Sequence, residues 1–157
     1  RLGPSPPTPR SSGLRFNLSH TDGLIACVVT DRGRAGGVDA ERSPAGADAV
    51  AYLPRLFAER ERADLAAVAD DGARAARLAA YWVLKEAYLK ALGTGLRREL
   101  SSFAFSGLAG PRVRLHDAER PVRHWHFDLI RPTPYHVVAV AAEHAGPAGL
   151  STIVLSG

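Results

Sequence analysis

The sequence is poor in residue types whose scarcity limits what the protein can be. It has one cysteine, Cys27, in 157 residues, which excludes an internal disulfide framework and a cysteine-based zinc site and favours a reducing compartment. No apolar run approaches the about 20 residues that a membrane-spanning helix needs, and no signal segment opens the chain. We therefore expect a soluble, cytoplasmic protein without a membrane partner.

A large excess of one charge is also missing. The chain has 20 Lys and Arg against 16 Asp and Glu, a net charge of +4, and the basic residues are interspersed with acidic ones. No predicted face alternates aromatic and basic residues, so we expect no nucleic-acid partner, whereas an anionic small molecule fits the charge. Only two of the basic residues are lysines, Lys85 and Lys90, and both lie in one segment.

Methionine is absent, and we expect part of the N-terminus to be missing from the chain. Residues 1–13 are rich in Pro, Ser and Gly and predict a linker or extended arm. The globular part begins near Leu14. With 46% hydrophobic residues, it can bury one core.

Six runs of β-branched or apolar residues predict strands. They lie at residues 24–30, 37–41, 101–105, 112–115, 122–130 and 135–142. The first two are separated by the turn signal Asp31-Arg32-Gly33 and predict a hairpin. The last four predict an antiparallel sheet or meander, and residues 144–157 leave room for one more short strand.

Helical signals occupy the middle of the chain. Residues 48–70 contain helix formers interrupted by Pro54, which predicts two short helices rather than one. The segment from Ala73 to Leu92 lacks proline and is followed by Gly93, which predicts a long helix with a glycine cap. A hairpin, then helices, then strands predicts an α+β fold.

Two carboxylates share one face of a predicted strand. Asp39 and Glu41 alternate with apolar residues, so their side chains leave the strand on the same side. Such hard oxygen ligands suit magnesium or calcium; the alternative is a solvated strand end with Arg42 as counter-ion. Gly36 and Gly37 precede the pair and would let a ligand approach the backbone.

The long helix carries a charge on its apolar stripe. The stripe contains Leu78, Trp82, Leu89 and Leu92, and Lys85 falls in its middle. Lys85 must either extend its stem outward to solvent or meet an anion in a pocket. Glu86 and Lys90, four residues apart, would by themselves form an ordinary helix salt bridge.

Two histidine-containing segments are weaker signals. Ser19 and His20 could offer a hydroxyl and an imidazole to a phosphate at a strand end, or they could be an ordinary surface pair. His124 and His126 form an HxH pattern without a third ligand at a convincing spacing, so we do not predict a zinc site.

Three segments together resemble one family. Phe16-Asn17-Leu18-Ser19-His20, Gly37-Val38-Asp39-Ala40-Glu41 and the run WVLKEAYLK at 82–90 occur in this order. They closely resemble the Sfp-type 4′-phosphopantetheinyl transferases, whose signature motifs are G-hydrophobic-D-x-E and W-x-x-K-E-x-x-x-K. The resemblance extends from about Leu14 to about Ala142.

The resemblance implies the 4′-phosphopantetheinyl transferase fold, an antiparallel sheet packed on a long helix in each of two similar halves related by a pseudo-two-fold axis. Residues 14–36 would be the remnant of the first half and residues 37–157 the second half. Upstream basic residues that hold the 3′-phosphate of coenzyme A in the family would then be absent.

The resemblance also implies a reaction: magnesium-dependent transfer of 4′-phosphopantetheine from coenzyme A to a serine of an acyl or peptidyl carrier protein. It implies metal ligation by Asp39, Glu41 and Glu86. It implies contacts to coenzyme A from Ser19, His20, Lys85, Lys90 and Asp39. The catalytic residues are expected among Glu86, Lys90 and Glu61, with Glu61 aligned to an acidic residue proposed as general base; Glu61 could equally be a surface residue paired with Arg62 or Arg55.

Two rival interpretations remain. The short holo-acyl-carrier-protein synthase group shares the reaction and works as a trimer, but its D-x-E-like motif opens the chain, whereas here Asp39 follows a hairpin and Trp82 heads the helix motif. We therefore expect an Sfp-type monomer. The other rival is a non-catalytic half-protein that binds coenzyme A and magnesium without transfer.

Overall fold

The computed structural model describes residues 13–31 and 33–144. Residues 1–12 of the predicted arm and residues 145–157 of the predicted last segment lie outside them. The described strands are β1 Leu14–Thr21, β2 Leu24–Asp31, β3 Gly36–Arg42, β4 Phe103–Ser106, β5 Arg114–Asp117, β6 Trp125–Thr133 and β7 His136–Glu143. The α-helices are α1 Ala47–Tyr52, α2 Glu59–Ala66 and α3 Asp71–Leu92, with 3-10 turns at Leu53–Leu56, Gly95–Arg97 and Leu100–Ser102. The α+β prediction and the two short helices before a long one are confirmed.

The long helix α3 begins and ends at sequence signals. The Asp70 side chain accepts a hydrogen bond of 2.7 Å from the Ala73 N–H, which satisfies one of the free donors of the first turn. Gly93 follows the last turn with φ +69°, a left-handed conformation that favours glycine. The prediction of a glycine-capped helix is confirmed.

The predicted hairpin between residues 24–30 and 37–41 is wrong. β2 pairs with β1 instead, around the Asp22-Gly23 turn, where Gly23 has φ +77°. β3 pairs with β7, from Gly36 opposite Ala142 to Arg42 opposite His136. Both β3 and β7 are buried over most of their length, and a strand buried on both faces belongs inside a layered structure rather than in a solvent-facing hairpin.

The four later strands exist but divide between two sheets. β6 and β7 join β3 in an antiparallel sheet of order β3-β7-β6, whereas β4 and β5 form a separate antiparallel pair. One face of the three-stranded sheet packs on α3, and the shared core includes Tyr81, Leu84, Tyr88, Phe105, Val137 and Ala139. The opposite face meets the β1-β2 hairpin through Val28, Val38, Ala40, Val138 and Val140.

Gly37 fixes how closely α3 approaches the sheet. A Cβ added at Gly37 would overlap the Ala87 carbonyl oxygen and the Ala91 nitrogen of α3. The sequence suggested that Gly36 and Gly37 leave room for a ligand. At Gly37 the space is filled by the helix backbone, and this contact sets α3 against the strand that carries Asp39.

The outward face of the β1-β2 hairpin is apolar and exposed. Its large side chains are Leu14, Phe16, Leu18, Ile25 and Val29. No helix within the described ranges is long and apolar enough to cross a membrane.

Candidate active site

Three carboxylates face one another across the contact between β3 and α3. Asp39 and Glu41 alternate along β3, and Glu86 lies on α3. Their charges act on one another: Asp39 raises the pKa of both Glu41 and Glu86, and Glu41 also raises the pKa of Glu86. The three residues named from the sequence therefore lie in one cluster.

Asp39 is the most buried of the three, with 5% of its surface exposed. Its Oδ1 accepts hydrogen bonds from the Lys90 Nζ at 2.7 Å and from the Ser19 hydroxyl at 3.1 Å. Burial raises the pKa of Asp39, and the Lys90 ammonium and the Ser19 hydroxyl offset part of this increase. Asp39 Oδ2 is buried and has no hydrogen-bond partner among the described residues.

Glu41 is oriented by a tryptophan. The Trp82 Nε1–H donates to Glu41 Oε1 at 3.3 Å, and burial followed by the charge of Asp39 raises the pKa of Glu41. Arg42, the counter-ion of the alternative interpretation, pairs with Asp22 at 3.2 Å instead. A solvated strand end neutralised by Arg42 is therefore not what the structure shows.

Glu86 also has an unsatisfied oxygen. Its Oε1 is buried and lacks a hydrogen-bond partner within the described chain, and burial followed by the charge of Asp39 raises its pKa. The ordinary helix salt bridge between Glu86 and Lys90 is not formed. The Lys90 Nζ donates to Asp39 and to the Val38 carbonyl oxygen at 3.1 Å.

The donor set fits magnesium. Two buried carboxylate oxygens without described partners, in a cluster where Asp39 raises the pKa of both glutamates, are what a cation would satisfy. Across the described residues, no three His, Cys, Asp or Glu side chains form a ready-made metal cage. Magnesium does not require one, since it is usually bound by one or two carboxylates together with water and substrate phosphates.

Lys85 and Glu61 lie elsewhere, in the core. Both side chains are 0% exposed, and Lys85 Nζ is 2.8 Å from Glu61 Oε2. Lys85 also donates to the carbonyl oxygens of Leu100 at 2.6 Å and Phe103 at 2.8 Å. Burial lowers the pKa of Lys85 and raises that of Glu61, and the charge of each opposes the shift of the other.

This pair corrects two expectations. Lys85 meets an anion in a pocket, as one alternative held, but the anion is Glu61 and no donor of the ammonium is left for coenzyme A. Glu61 is not a surface partner of Arg55 or Arg62, because its side chain is fully buried against Lys85. Its second oxygen accepts from the Phe105 N–H at 2.8 Å.

Ser19 and His20 separate onto opposite faces of β1. Ser19 is 8% exposed, accepts a hydrogen bond from the Ala40 N–H at 3.1 Å and donates its only proton to Asp39. His20 is exposed on the other face. The Ser19 hydroxyl thus serves Asp39 rather than donating to a phosphate, and the structure does not bring His20 into the cluster.

Sequence reasoning missed the hydrogen bond of Trp82 to Glu41 and a polar network around Asp117. The Trp82 indole lies one turn before Glu86 on α3 and bonds Glu41; the four-residue spacing to Glu86 was an available signal. No pattern indicated the partners of Asp117. The Tyr88 hydroxyl donates to it at 2.8 Å, and the Arg98 guanidinium donates to both of its oxygens, at 2.7 and 2.8 Å. This buried network anchors the segment after α3 to β5.

Comparison with known proteins gives one answer. The fold and the site define the class of protein. It is an α+β protein in which a helix with a Trp-x-x-Lys-Glu motif packs against a strand with an Asp-x-Glu motif. The profile of the 4′-phosphopantetheinyl transferase superfamily matches residues 35–141. The chain belongs to this superfamily.

Individual relatives carry related names. The chain is 39% identical over 105 residues to a holo-[acyl-carrier-protein] synthase of Chloroflexus aggregans, covering 67% of this chain and 68% of the relative. It is 38% identical over 87 residues to the 4′-phosphopantetheinyl transferase HetI of a Nostoc species, covering 55% and 36%. It is 39% identical over 89 residues to the L-aminoadipate-semialdehyde dehydrogenase-phosphopantetheinyl transferase of Eremothecium gossypii, covering 54% and 32%. The matches to the last two span about a third of their length.

A solved structure shares the fold. The crystal structure of the Thermotoga maritima holo-[acyl-carrier-protein] synthase matches with a TM-score of 0.51 at 22% sequence identity, covering 69% of this chain and 62% of that one. The expected 4′-phosphopantetheinyl transferase fold, an antiparallel sheet packed on a long helix, is confirmed.

Proposed function

We propose that the protein transfers 4′-phosphopantetheine from coenzyme A to a serine of an acyl or peptidyl carrier protein, as an Sfp-type enzyme of the cytoplasm. Membership of the superfamily supports the reaction class. The observation that carries the proposal is the cluster of Asp39, Glu41 and Glu86, in which Asp39 Oδ2 and Glu86 Oε1 are buried and lack partners among the described residues.

Asp39, Glu41 and Glu86 would hold magnesium. When bound, the ion neutralises charge on the pyrophosphate of coenzyme A and stabilises the departing adenosine 3′,5′-bisphosphate. Lys90 would help to neutralise the same phosphate charge with its ammonium group. Its side chain is 29% exposed, and its ammonium uses two donors on Asp39 and Val38, which leaves one of three for a phosphate oxygen.

Glu86 is our candidate for the group that accepts the serine proton. A general base must reach that proton directly or through one water. Glu86 belongs to the carboxylate cluster and has a buried oxygen that no described residue bonds. Glu61, the other acidic candidate, is enclosed in the core with Lys85.

The test is mass spectrometry of an apo carrier protein incubated with the chain, coenzyme A and magnesium, with an EDTA control. We expect a metal-dependent gain of one phosphopantetheine on the carrier serine. The same assay is repeated with a longer chain in which a first half like that of the longer relatives precedes residue 14. Transfer that requires the added half would support the proposal that residues 14–36 are the remnant of a first half. No gain with either chain would overturn the proposal.

One observation favours a second candidate. Because the matched region is about a third of the length of two relatives, the chain could bind coenzyme A and magnesium without completing transfer. Tight, magnesium-dependent binding of coenzyme A with no modified carrier would select this function.

A further inference from the structure

Two side chains of β1 replace a neighbouring strand along one edge of β3. One edge of β3 pairs with β7. On its other side, the Val38 N–H donates to Asn17 Oδ1 at 2.9 Å and the Ala40 N–H donates to the Ser19 Oγ at 3.1 Å. Asn17 and Ser19 are two residues apart and therefore lie on the same face of β1.

Ser19 differs from Asn17 in two respects. Its hydroxyl also donates to Asp39 Oδ1 at 3.1 Å, and it is buried. Because the hydroxyl accepts from Ala40 and donates to Asp39, its rotation is fixed at both ends. Asn17 forms the equivalent backbone bond, and no bond from Asn17 to a carboxylate of the cluster is seen in the described residues.

Both side-chain donors to Asp39 bond the same oxygen. Ser19 and Lys90 both bond Oδ1, and Oδ2 is the buried atom that no described residue bonds. A carboxylate held by one oxygen from two directions cannot rotate freely about its last side-chain bond. The position of the other oxygen, which is buried and has no described partner, is then fixed as well.

We propose that Ser19 is a positioning residue that orients the Asp39 carboxylate and presents Oδ2 to a divalent cation. The inference rests on the proposed function for the identity of the ion and gives the hairpin a part in the active site. Groups that orient a metal ligand typically change metal affinity by about 10–100-fold when removed.

The experiment compares Ser19→Ala, Ser19→Thr and Asn17→Ala in the same chain. The probe is Mn²⁺, and electron paramagnetic resonance measures its free concentration in the absence of coenzyme A. Thermal unfolding is recorded separately in EDTA. We expect Ser19→Ala to weaken Mn²⁺ binding about tenfold, and Ser19→Thr, which keeps the hydroxyl, to restore it. Asn17→Ala loses the equivalent backbone bond, so its unfolding temperature should fall similarly while Mn²⁺ affinity changes by no more than about twofold.

The outcomes separate this inference from the proposed function. Equal weakening of Mn²⁺ binding by Ser19→Ala and Asn17→Ala, or no weakening by Ser19→Ala, would overturn the positioning role. Absence of Mn²⁺ binding by the unaltered chain would overturn it as well, whatever the result for transfer. Metal binding that depends on the Ser19 hydroxyl, in a chain that never modifies a carrier protein, would support the positioning role and overturn the proposed function alone.

Discussion

Glu86 shows how a single residue can oppose stability in the metal-free protein. Its carboxylate is partly buried, faces Asp39 and Glu41, and has a raised pKa because burial and both charges disfavour its ionised form. The folded state therefore holds a proton on Glu86 more tightly than the unfolded state does. The protonated carboxyl therefore favours folding, and this effect is fully present below the unfolded pKa. It is lost as the pH rises through the folded pKa, where the ionised carboxylate opposes folding.

We expect Glu86→Gln to abolish transfer while raising stability in EDTA. The amide keeps the shape but removes a negative charge from the cluster, so the variant should unfold at a higher temperature than wild type at neutral pH. The difference should shrink toward acidic pH, where the wild-type carboxyl is protonated. Thermal unfolding across this pH range and the carrier assay check both parts. Near-normal turnover, or a wild type more stable than the variant at neutral pH, would contradict the assignment.

At the scale of elements, the buried pair joins three of them. Glu61 on α2 contacts Lys85 on α3 at 2.8 Å and the Phe105 N–H of β4 at 2.8 Å. Lys85 in turn bonds the Leu100 and Phe103 carbonyl oxygens. The pair thus links α2, α3 and β4 at the residue next to Glu86.

Lys85→Met should lower the free energy of unfolding by about 3–5 kcal/mol, because Glu61 would be left as a buried charge without its partner. The double variant Lys85→Met/Glu61→Gln should recover part of this loss. Urea denaturation measures both, and Asp71→Asn is the matched control, since Asp71 is 94% exposed in its pair with Arg74 and such pairs contribute at most about 1 kcal/mol.

The Glu61→Gln variant decides between a structural and a catalytic role. We expect a lower unfolding temperature and an unchanged pH dependence of transfer in the molecules that remain folded. A stable Glu61→Gln protein whose pH–rate profile had lost its limb on the acid side would show that Glu61 is the general base after all.

The crossing of α3 over β3 depends on Gly37. Gly37→Ala places a methyl group against the Ala87 carbonyl oxygen and the Ala91 nitrogen, neither of which can move without displacing the helix. We expect a loss of about 1–3 kcal/mol or more together with weaker metal binding, because Glu86 moves away from Asp39. Gly33→Ala is the control, since an added Cβ there meets nothing within 4 Å. Equal unfolding free energies for the two variants would contradict the close contact.

At the scale of the whole molecule, the sequence predicted the local elements better than it predicted which strands pair. The end of α3 follows from Gly93, whereas its start was predicted at Ala73 and lies at Asp71. The carboxylate cluster follows from motifs on one strand and one helix. The partner of β3 did not follow, because it lies about 100 residues away in β7 and long-range pairing leaves no local signal. The contacts of Lys85 and Ser19 were not predicted for a related reason, because their partners Glu61 and Asp39 are supplied by tertiary structure.

The net charge of +4 yields a prediction for this chain and its proposed carrier-protein partner. Carrier proteins usually present acidic helices, so attraction between unlike charges should speed their encounter with this chain and be screened by salt. We expect kcat/KM for the carrier to fall roughly three- to tenfold between low salt and about 0.5 M, with kcat nearly constant, because steering acts on association. A carrier whose acidic helix residues are replaced by amides serves as the control and should lose most of this dependence. A salt response that is the same for both carriers would place the electrostatic effect on coenzyme A or magnesium instead of on the protein partner.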